Sequence, residues 1–581
     1  MSTPAGDNRD STVPGASSAD GAVSPLSAGT VPWPEDLVRA YTAAGWWRGQ
    51  SLGAEILAAA DSRPTATALA DGSVRLSYAS LAARADALAG RLTGDLGLRS
   101  GDRIVVQLPN CWQFAVLTLA CLRAGIVPVM ALPAHRQHEL AYLCEHSEAR
   151  ALAVPDVLRD FDHQQLAADL RASSVTLRHV LVAGACVRPG HADLTELCAE
   201  PGGAAEIAAG RARFDAAQPD AGEVAVFLLS GGTTGLPKLI ARTHNDYSYN
   251  ARASAGLCGL GPDTVYLAAL PVSHNFPLAC PGILGTLLSG GRVVMLSSPQ
   301  PETAFATVER EGVTITAAVP AVAQRWLAYA EEHGAAALRT LTVLQVGGAR
   351  IADELARKIR PVLGATLQQV FGMAEGLLNY TRLDDPDEVI CTTQGRPLSP
   401  GDEVRIVDSS GADLPDGQPG ALLTRGPYTP RGYYRAPEQN ARAFTLDGWY
   451  ASGDIVRRRP DGNLIVEGRD KDMINRAGEK ISAEEVENLV YRLPGVAQVA
   501  AVAVPDAELG ERVCIFVVPA PEADITLAAV RDSMAAAGVA RFKWPERLEI
   551  VTELPTTKVG KLDKKALREL LAPPSRAGSG P

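Results

Sequence analysis

A glycine-rich loop at residues 230–238 has the composition that a polyphosphate requires. It follows the apolar run Val224–Leu229 and reads Ser-Gly-Gly-Thr-Thr-Gly-Leu-Pro-Lys. Glycines let the backbone turn several N–H groups toward one point, while hydroxyls add donors and the lysine adds positive charge. Pro rather than Gly precedes the lysine, so this is not a Walker A loop. We predict phosphate binding rather than a merely flexible turn, with the candidate ligands Ser230, Gly231, Gly232, Thr233, Thr234, Gly235 and Lys238.

Four further segments extend the pattern, and their order along the chain is informative. They are Val370–Glu375 (VFGMAE), Tyr450–Asp454 (YASGD), Gly468–Glu487 beginning GRDKD, and Pro555–Lys561 (PTTKVGK). With the glycine-rich loop, they resemble in type and order the motifs of the adenylate-forming superfamily, which includes acyl-CoA synthetases, peptide synthetase adenylation domains and luciferases. Segments 132–136, 242–247 and 368–382 are most similar to aryl acid-AMP ligases of the salicylate and 2,3-dihydroxybenzoate type. The resemblance extends from about Val31 to Leu571.

The resemblance implies binding of ATP and Mg²⁺ and assigns roles to single residues. Glu375 would ligate Mg²⁺, Asp454 and Arg469 would bind the ribose hydroxyls, and Thr234 would act in the phosphate loop. Adenine and nearby groups would contact Gly347, Gly348, Val370, Phe371 and Gly372. Lys561 would contact the substrate carboxylate and the α-phosphate, although a solvated basic face formed with Lys558, Lys564 and Lys565 is the alternative. Lys471 would be the hinge of a mobile lid, or else an exposed turn lysine.

The segment His274–Gly282 carries most of the information about the acid. Amino acid activators of the superfamily place Asp where Asn275 stands, so an α-amino acid is disfavoured, and an amide can instead bind a hydroxyl ortho to an aryl carboxylate. Relatives that take 2,3-dihydroxybenzoate tend to have Ser at Cys280, Val at Leu378 and often Tyr at Phe276. These apolar changes favour salicylate, with neutral core variation as the alternative. The predicted acid pocket is Asn275, Phe276, Cys280, Gly348, Ala374, Leu378 and Lys561, with His274 either gating it or serving only as structure.

We therefore predict an enzyme that converts salicylate, or a close 2-hydroxyaryl acid, to its acyl-AMP and then acylates a thiol. No Ser-bearing carrier segment follows Leu571, so the expected acceptor is the phosphopantetheine of a separate carrier protein in siderophore or natural-product biosynthesis. A salicyl-CoA ligase and a 2,3-dihydroxybenzoate-AMP ligase are the alternatives, and a non-catalytic nucleotide-binding scaffold is a third. Substituted salicylates, 3-hydroxypicolinate and anthranilate stay open, because each presents an ortho polar group to Asn275.

The elements that must position these residues alternate along the chain. Helical patterns at 81–92 and 114–124 alternate with apolar runs at 103–108, 127–132 and 224–229, which predicts α/β layers with mostly parallel strands. Short runs separated by turns beyond about residue 400 predict a small β-rich subdomain, and the pattern after Gly468 predicts a compact α+β lid. The predicted organisation is a tail at 1–30, a large ATP- and acid-binding domain at 31–469, a lid domain at 470–572 and a tail at 573–581.

Composition limits the possible partners. The formal net charge of −11 leaves no excess of Lys and Arg for nucleic acid or anionic membrane surfaces. No apolar stretch has the length of a membrane span, and the first thirty residues lack the apolar core of a signal peptide. Nine scattered Cys without metal-ligand spacing fit a reducing compartment, so we expect a cytoplasmic protein.

Overall fold

The computed structural model describes residues 24–230, 237–469, 472–476, 479–506, 509–537, 539, 541–557 and 561–571. It confirms the predicted α/β class, with a large N-terminal domain followed by a small C-terminal one. The helical pattern at 81–92 lies within helix Tyr78–Gly94, and the apolar run at 224–229 is a strand with those same bounds.

The largest sheet has nine strands among the described residues, and its central strands are parallel. Its order from edge to edge is Arg396–Pro397, Gly376–Tyr380, Thr366–Met373, Val343–Gly347, Ile315–Ala318, Val265–Ala268, Arg292–Met295, Thr67–Asp71 and Val74–Ser77. Parallel central strands buried on both faces explain why these runs are almost continuously apolar rather than alternating. Antiparallel pairing is confined to the two edges, where strands Gly376–Tyr380 and Val74–Ser77 turn back.

A second, seven-stranded sheet is parallel except for one edge hairpin, in which the strands on either side of the glycine-rich loop pair antiparallel. Its order is Leu239–Thr243, Val224–Leu229, Val127–Met130, Arg103–Val106, Ala151–Pro155, His179–Ala183 and Ala192–Asp193. The hairpin therefore holds both ends of the predicted phosphate loop at one sheet edge. A small ladder pairs Val157–Leu158 with Phe161–Asp162.

Helices cover these sheets, and local sequence explains where they start and stop. Helix Tyr78–Gly94 starts after Ser77, whose hydroxyl accepts a hydrogen bond from the Ser80 N–H at 3.1 Å. Helix Trp112–Ala124 ends at Gly125, which takes the left-handed conformation (φ 69°) that glycine adopts without strain. The other α-helices of the large domain are Glu35–Ala43, Leu52–Ser62, Gln137–His146, His163–Ser173, Leu194–Leu197, Ala204–Ala216, His244–Leu257, Asn275–Ala279, Gly282–Leu288, Pro301–Glu311, Pro320–His333, Asp353–Lys358, Asp387–Thr392 and Pro437–Ala443.

The β-rich region predicted beyond residue 400 is an antiparallel four-stranded sheet. Its strands are Glu403–Val407, Pro419–Arg425, Tyr450–Arg458 and Leu464–Arg469. Register places Asp454 opposite Arg469, so two predicted nucleotide-binding residues are cross-strand neighbours. The sheet has its own small apolar cluster, which includes Leu422, Val456 and Leu464.

The C-terminal unit is built around the long hairpin Val496–Asp506 and Gly510–Pro519. Strands Ile474–Arg476, Glu479–Ile481 and Arg547–Ile550 complete its sheet, and helices Ala483–Tyr491, Leu527–Ala536 and Lys564–Leu571 pack on it. Its apolar clusters are formed within residues 474–571. The domain boundary proposed at 469/470 adjoins residues 470 and 471, which lie outside the described residues.

The tail predicted for residues 1–30 is too long at its C-terminal end. Residues Leu26–Ala28 form a turn of 3-10 helix, and the Ser24 N–H and hydroxyl donate to the Glu148 carboxylate at 2.6 and 3.0 Å. Gly29 lies against the Tyr434 ring, where an added Cβ would approach a ring carbon to 2.4 Å. Residues 24–30 have the small and polar composition of a tail. Their contacts could not be predicted from it, because the partners lie far along the chain.

Within the part of the chain that the structure describes, no helix combines the length and apolar composition needed to cross a bilayer. All nine cysteines are free thiols.

Candidate active site

Several predicted site residues of the large domain lie at the carboxyl edge of the nine-stranded sheet. Gly347 ends one strand and Gly348 follows it, Phe371 and Gly372 lie near the end of the neighbouring strand, and Asn275 follows strand Val265–Ala268. Parallel strands present their carboxyl ends at the same edge, and ligands of open α/β sheets bind there. Segments that are far apart in sequence therefore meet in one cleft.

Lys561 reaches this edge from the C-terminal domain. A Cβ added to Gly348 would lie 3.3 Å from its Cε and 3.9 Å from its Nζ, so glycine provides the room that the lysine side chain occupies. Gly348 also has φ +84°, a conformation that other residues rarely adopt. Both features explain why a glycine stands at this position.

Charged groups of the large domain lie near the Lys561 ammonium. Burial lowers the pKa of Lys561, and the nearby Arg469 guanidinium lowers it further, while the carboxylates of Asp454 and Glu375 act in the opposite direction. Arg469 Nε donates to Asp454 Oδ1 at 2.8 Å, as expected for cross-strand neighbours. The cleft therefore holds cationic groups, which can bind phosphate oxygens, beside carboxylates, which can accept hydrogen bonds or bind a cation.

Glu375 is held by a tyrosine that sequence reasoning missed. The Tyr433 hydroxyl donates to Glu375 Oε1 at 2.8 Å and lies 3.3 Å from the Tyr450 hydroxyl. The Lys238 ammonium lies 5.6 Å from the centre of the Tyr433 ring. Tyr433 thus links the phosphate-loop lysine to the predicted metal ligand, although nothing in its local sequence signals this.

The base of the phosphate loop is closed by paired hydrogen bonds. The Ser230 N–H donates to the Lys238 carbonyl at 3.0 Å, and the Lys238 N–H donates to the Ser230 hydroxyl at 3.0 Å. The predicted ligands Gly231, Gly232, Thr233, Thr234 and Gly235 lie outside the described residues, as does the predicted hinge Lys471. Their roles stay predictions.

Helix Ala483–Tyr491 of the C-terminal unit lies beside the large domain, and specific hydrogen bonds join the two. The Asp353 N–H donates to Asn488 Oδ1 at 3.1 Å, and the Ser482 hydroxyl donates to the Glu467 carbonyl. These contacts hold the orientation in which Lys561 enters the cleft.

Apolar groups form the walls of the predicted acid pocket. The Phe276 ring lies against Gly347, where a Cβ would come within 3.0 Å of it, and a Cβ on Gly372 would come within 2.4 Å of Leu378 Cδ2. Cys280 is buried, and burial raises the pKa of its thiol to about 12, so it acts as a small apolar side chain. Ala374 packs nearby and its carbonyl accepts a hydrogen bond from Arg242 at 3.2 Å.

His274 and Asn275 each have a hydrogen-bond partner within the protein. His274 caps helix Asn275–Ala279, because its Nδ1 accepts a hydrogen bond from the Phe276 N–H at 3.2 Å. Burial and the Lys561 charge lower the pKa of His274 to about 3, so the ring is neutral at pH 7. Asn275 instead accepts a hydrogen bond from the Tyr247 hydroxyl at 2.9 Å.

The residues present fit Mg²⁺ bound together with phosphate. Glu375 offers a hard carboxylate that is 6% exposed and that Tyr433 holds through one oxygen. Among the described residues no group of three His, Cys, Asp or Glu is arranged to bind a metal. Mg²⁺ usually takes one or two carboxylates and completes its shell with substrate phosphates and water, so a single buried Glu beside a phosphate loop matches its needs.

Comparison with known proteins identifies the family. Residues 56–434 match the AMP-binding enzyme family, and residues 485–561 match the AMP-binding enzyme C-terminal domain. The chain belongs to the AMP-binding enzymes. These are the adenylate-forming superfamily, and the similarity extends over both domains.

Relatives of this AMP-binding enzyme act on aryl acids. It is 60% identical over 94% of its length to a salicylyl-CoA synthase / salicylate adenylyltransferase of a Streptomyces species, 98% of which is covered. It is 48% identical over 93% of its length to a salicyl-AMP ligase / salicyl-S-ArCP synthetase of Mycobacterium tuberculosis, 94% of which is covered. The AMP-binding enzyme described here is an aryl acid adenylate-forming ligase.

The fold agrees with a solved structure of the same class. The apo structure of MbtA from Mycobacterium smegmatis superposes with a TM-score of 0.70 at 47% identity, covering 94% of this chain and 99% of that one. In this ligase the cleft therefore lies where a large N-terminal and a small C-terminal domain meet.

Proposed function

We propose that this ligase activates salicylate, or a close 2-hydroxyaryl acid, with ATP and then transfers the acyl group to a phosphopantetheine thiol. The observation that carries the proposal is the position of Lys561, whose ammonium enters the cleft beside Gly348 and faces Asp454, Arg469 and Glu375. A carboxylate is a poor electrophile, so it attacks the α-phosphate of ATP and pyrophosphate leaves. The acyl-AMP that forms has a good leaving group and reacts with a thiol.

In this proposal each charged residue offsets charge that the reaction places near it. Lys561 bridges the substrate carboxylate and the α-phosphate, and Lys238 with the loop from Ser230 holds the outer phosphates. Asp454 accepts hydrogen bonds from the ribose hydroxyls, with Arg469 beside it. Mg²⁺, held by Glu375, would neutralise phosphate charge. Fixed donors and charges aimed at the developing charge lower the barrier without reorganising during the reaction.

The proposed acid pocket favours a single ortho hydroxyl. Cys280 and Leu378 form an apolar wall, which would leave a 3-hydroxyl of the ring without a strong hydrogen-bond partner. Burying a phenol in this way costs about 1–3 kcal/mol, or roughly tenfold or more in specificity. The names of the Streptomyces and Mycobacterium relatives, both of which specify salicylate, support this choice.

The acceptor is proposed to be the phosphopantetheine thiol of a separate carrier protein, in line with the name of the Mycobacterium relative. Free CoA is the second candidate, because the relative that is 60% identical is named a salicylyl-CoA synthase. For this step the lid is proposed to rotate about the segment that contains Lys471, withdrawing Lys561 from the cleft.

The adenylation proposal is tested by ATP–pyrophosphate exchange with salicylate, 2,3-dihydroxybenzoate, benzoate and an α-amino acid. We expect the highest kcat/KM with salicylate, and exchange that requires Mg²⁺. A higher value for 2,3-dihydroxybenzoate would contradict the pocket argument, and exchange with none of the acids would favour a nucleotide-binding scaffold.

A competition between CoA and a phosphopantetheinylated aryl carrier protein then tests the acceptor. Both are supplied with the enzyme and salicylate, and the two thioesters are separated by mass. We expect the carrier thioester to dominate at equal thiol concentration, and dominance of salicyl-CoA would assign the enzyme as a CoA ligase.

A further inference from the structure

The side-chain amide of Asn275 is held by a tyrosine on another helix. Tyr247, on helix His244–Leu257, places its hydroxyl 2.9 Å from Asn275 Oδ1. Both residues are buried, with 1% of Tyr247 and 6% of Asn275 exposed. Because Asn275 stands where the substrate's ortho group is proposed to bind, whatever fixes this amide also decides which of its two ends the substrate meets.

The proton of the Tyr247 hydroxyl has an acceptor in only one of the two orientations of the Asn275 amide. Burial raises the pKa of Tyr247 well above 10, so the phenol is neutral and has one proton to donate. Asn275 Oδ1 is its acceptor, and the Tyr247 hydroxyl makes no other hydrogen bond to a described residue. If the amide were turned over, its NH₂ would face the hydroxyl and leave the phenolic proton buried without an acceptor, which is unfavourable. Oδ1 therefore faces Tyr247.

The ring of Tyr247 is itself held in place. The Arg242 guanidinium lies 4.8 Å from the ring centre, and Arg242 Nε donates to Asp246 Oδ1 at 2.6 Å. The side chains of Arg242 and Asp246 are both fully buried. Asp246 also accepts from the Thr243 N–H and hydroxyl, at 2.6 and 2.7 Å, at the start of the same helix. A hydroxyl on so constrained a ring has little freedom to find another acceptor.

The NH₂ of Asn275 is then the end that remains for the substrate, since it makes no hydrogen bond to a described residue. An NH₂ needs an acceptor. The ortho hydroxyl of salicylate can donate its proton to its own carboxylate and accept from Asn275 through its oxygen. The ortho amine of anthranilate is a poor acceptor, because its lone pair is delocalised into the ring, and its N–H groups would oppose the amide N–H groups.

We propose that Tyr247 is a positioning residue that makes the acid pocket selective for 2-hydroxyaryl over 2-aminoaryl acids by fixing the orientation of the Asn275 amide. This rests on the proposed function, in which the acid binds beside Asn275. It narrows the substrate class that the sequence left open, since 3-hydroxypicolinate keeps an ortho hydroxyl and anthranilate does not.

The test is Tyr247→Phe, assayed by ATP–pyrophosphate exchange with salicylate, anthranilate and benzoate. Without the hydroxyl the amide can turn its oxygen toward the substrate. We expect the ratio of kcat/KM for salicylate over anthranilate to fall at least about tenfold, mainly through KM, while benzoate changes less than about threefold. Equal losses with all three acids, or an unchanged ratio, would overturn the proposal.

Tyr249→Phe is the matched control, because Tyr249 lies on the same helix and its hydroxyl pairs with the Ser399 hydroxyl at 2.6 Å instead. It removes the same atom from a buried tyrosine and should leave the ratio unchanged. If Tyr247→Phe does not fold, the unaltered enzyme still decides: equal kcat/KM with anthranilate and salicylate would refute the selectivity. Failure of the unaltered enzyme to use any aryl acid would instead refute the proposed function.

Discussion

Lys561 is a charged side chain in a partly buried position. Burial and Arg469 both favour its neutral form and lower its pKa, whereas Asp454 and Glu375 favour the ammonium. Bound phosphates would add negative charge at the same place and raise the pKa again. The ammonium is thus most stable when ATP and the acid are present, as a group that stabilises the transition state should be.

We predict that Lys561→Ala lowers the rate of salicylate-dependent ATP–pyrophosphate exchange by about 10²–10³-fold, because a charge aimed at the reacting groups is lost. Acylation of a thiol by chemically prepared salicyl-AMP should be much less affected. Lys565→Ala is the control, since the Lys565 side chain is 67% exposed and its Nζ pairs with Glu569 Oε1 on the same helix, at 3.8 Å. Undiminished exchange in Lys561→Ala would contradict the proposed role.

The pocket wall offers a second residue-level prediction. The double variant Cys280→Ser, Leu378→Val adds a hydrogen-bonding hydroxyl and removes a methylene's worth of volume beside Gly372. We expect kcat/KM for 2,3-dihydroxybenzoate relative to salicylate to rise roughly tenfold or more. Cys391→Ser, in helix Asp387–Thr392, is the control for a buried cysteine elsewhere. An unchanged ratio would mean that these side chains do not contact the 3-position.

The turn after strand Val343–Gly347 places Gly348 next to the lysine that is proposed to act in the reaction. It brings Gly348 against Lys561, so the position of one loop sets how far the C-terminal domain can insert its lysine. The neighbouring strand Thr366–Met373 and its antiparallel partner Gly376–Tyr380 bring Leu378 over Gly372 in the same way. Close packing against glycine, rather than loop flexibility, defines these parts of the cleft.

Gly348→Ala should therefore impair adenylation more than acyl transfer. The new Cβ would lie 3.3 Å from Lys561 Cε, and the alanine would have to adopt a φ of +84°, which is unfavourable for a residue with a side chain. Strain of about 1–2 kcal/mol and displacement of the lysine together predict a fall in exchange of about 10- to 100-fold. Gly312→Ala is the control for strain alone, because it has φ +65° and nothing within 4 Å. Equal effects of the two substitutions would exclude a specific contact with Lys561.

The elements show which parts of the site could be predicted from sequence. Motifs whose residues are adjacent in the chain, such as VFGMAE and YASGD, could be recognised from sequence because local residue type and order carry the information, and their roles stay predictions. The Tyr433–Glu375 and Tyr247–Asn275 hydrogen bonds were not predicted, since each joins segments that are distant in sequence and that only the fold brings together. His274 was predicted either to gate the pocket or to serve only as structure, and its capping hydrogen bond depends on where the next helix starts.

At the scale of the molecule, buried neutral histidines make the large domain sensitive to acid. Burial lowers the pKa of both His163 and His244 to about 4. Both are almost fully buried, and the Leu52 N–H donates to His244 Nδ1 at 3.2 Å. A histidine whose pKa falls on folding stabilises the fold fully above its unfolded pKa of about 6.5, and that stability is lost as pH falls toward 4.

We predict that the free energy of unfolding of the large domain decreases between pH 6.5 and 4.5 by about 1.4 kcal/mol per pH unit for each of these histidines. His244→Gln should reduce that slope by about one histidine's share, measured by denaturant titration at a series of pH values. His138→Gln, at an exposed position, should leave the slope unchanged. A slope identical in all three proteins would show that other groups govern the acid sensitivity.

The architecture of the whole molecule was easier to predict from sequence than the contacts of single residues, and the error in it lies at the N-terminal end of the chain. Alternating helical and apolar patterns predicted parallel layers, a β-rich region and an α+β unit, because periodicity reports burial directly. The extent of the N-terminal tail was wrong for residues 24–30, whose polar composition gave no sign of the ion-pair network around Glu148 that Ser24 joins.

The apolar clusters of this ligase fall on one side or the other of the segment near residue 470, and among the described residues none contains members from both sides. The domain on each side of this segment thus has its own hydrophobic core. A gene cut there should yield two polypeptides that fold when expressed apart and regain activity when mixed. The rate of acyl-AMP formation would then depend on protein concentration, turning an intramolecular closure into an association whose affinity can be titrated.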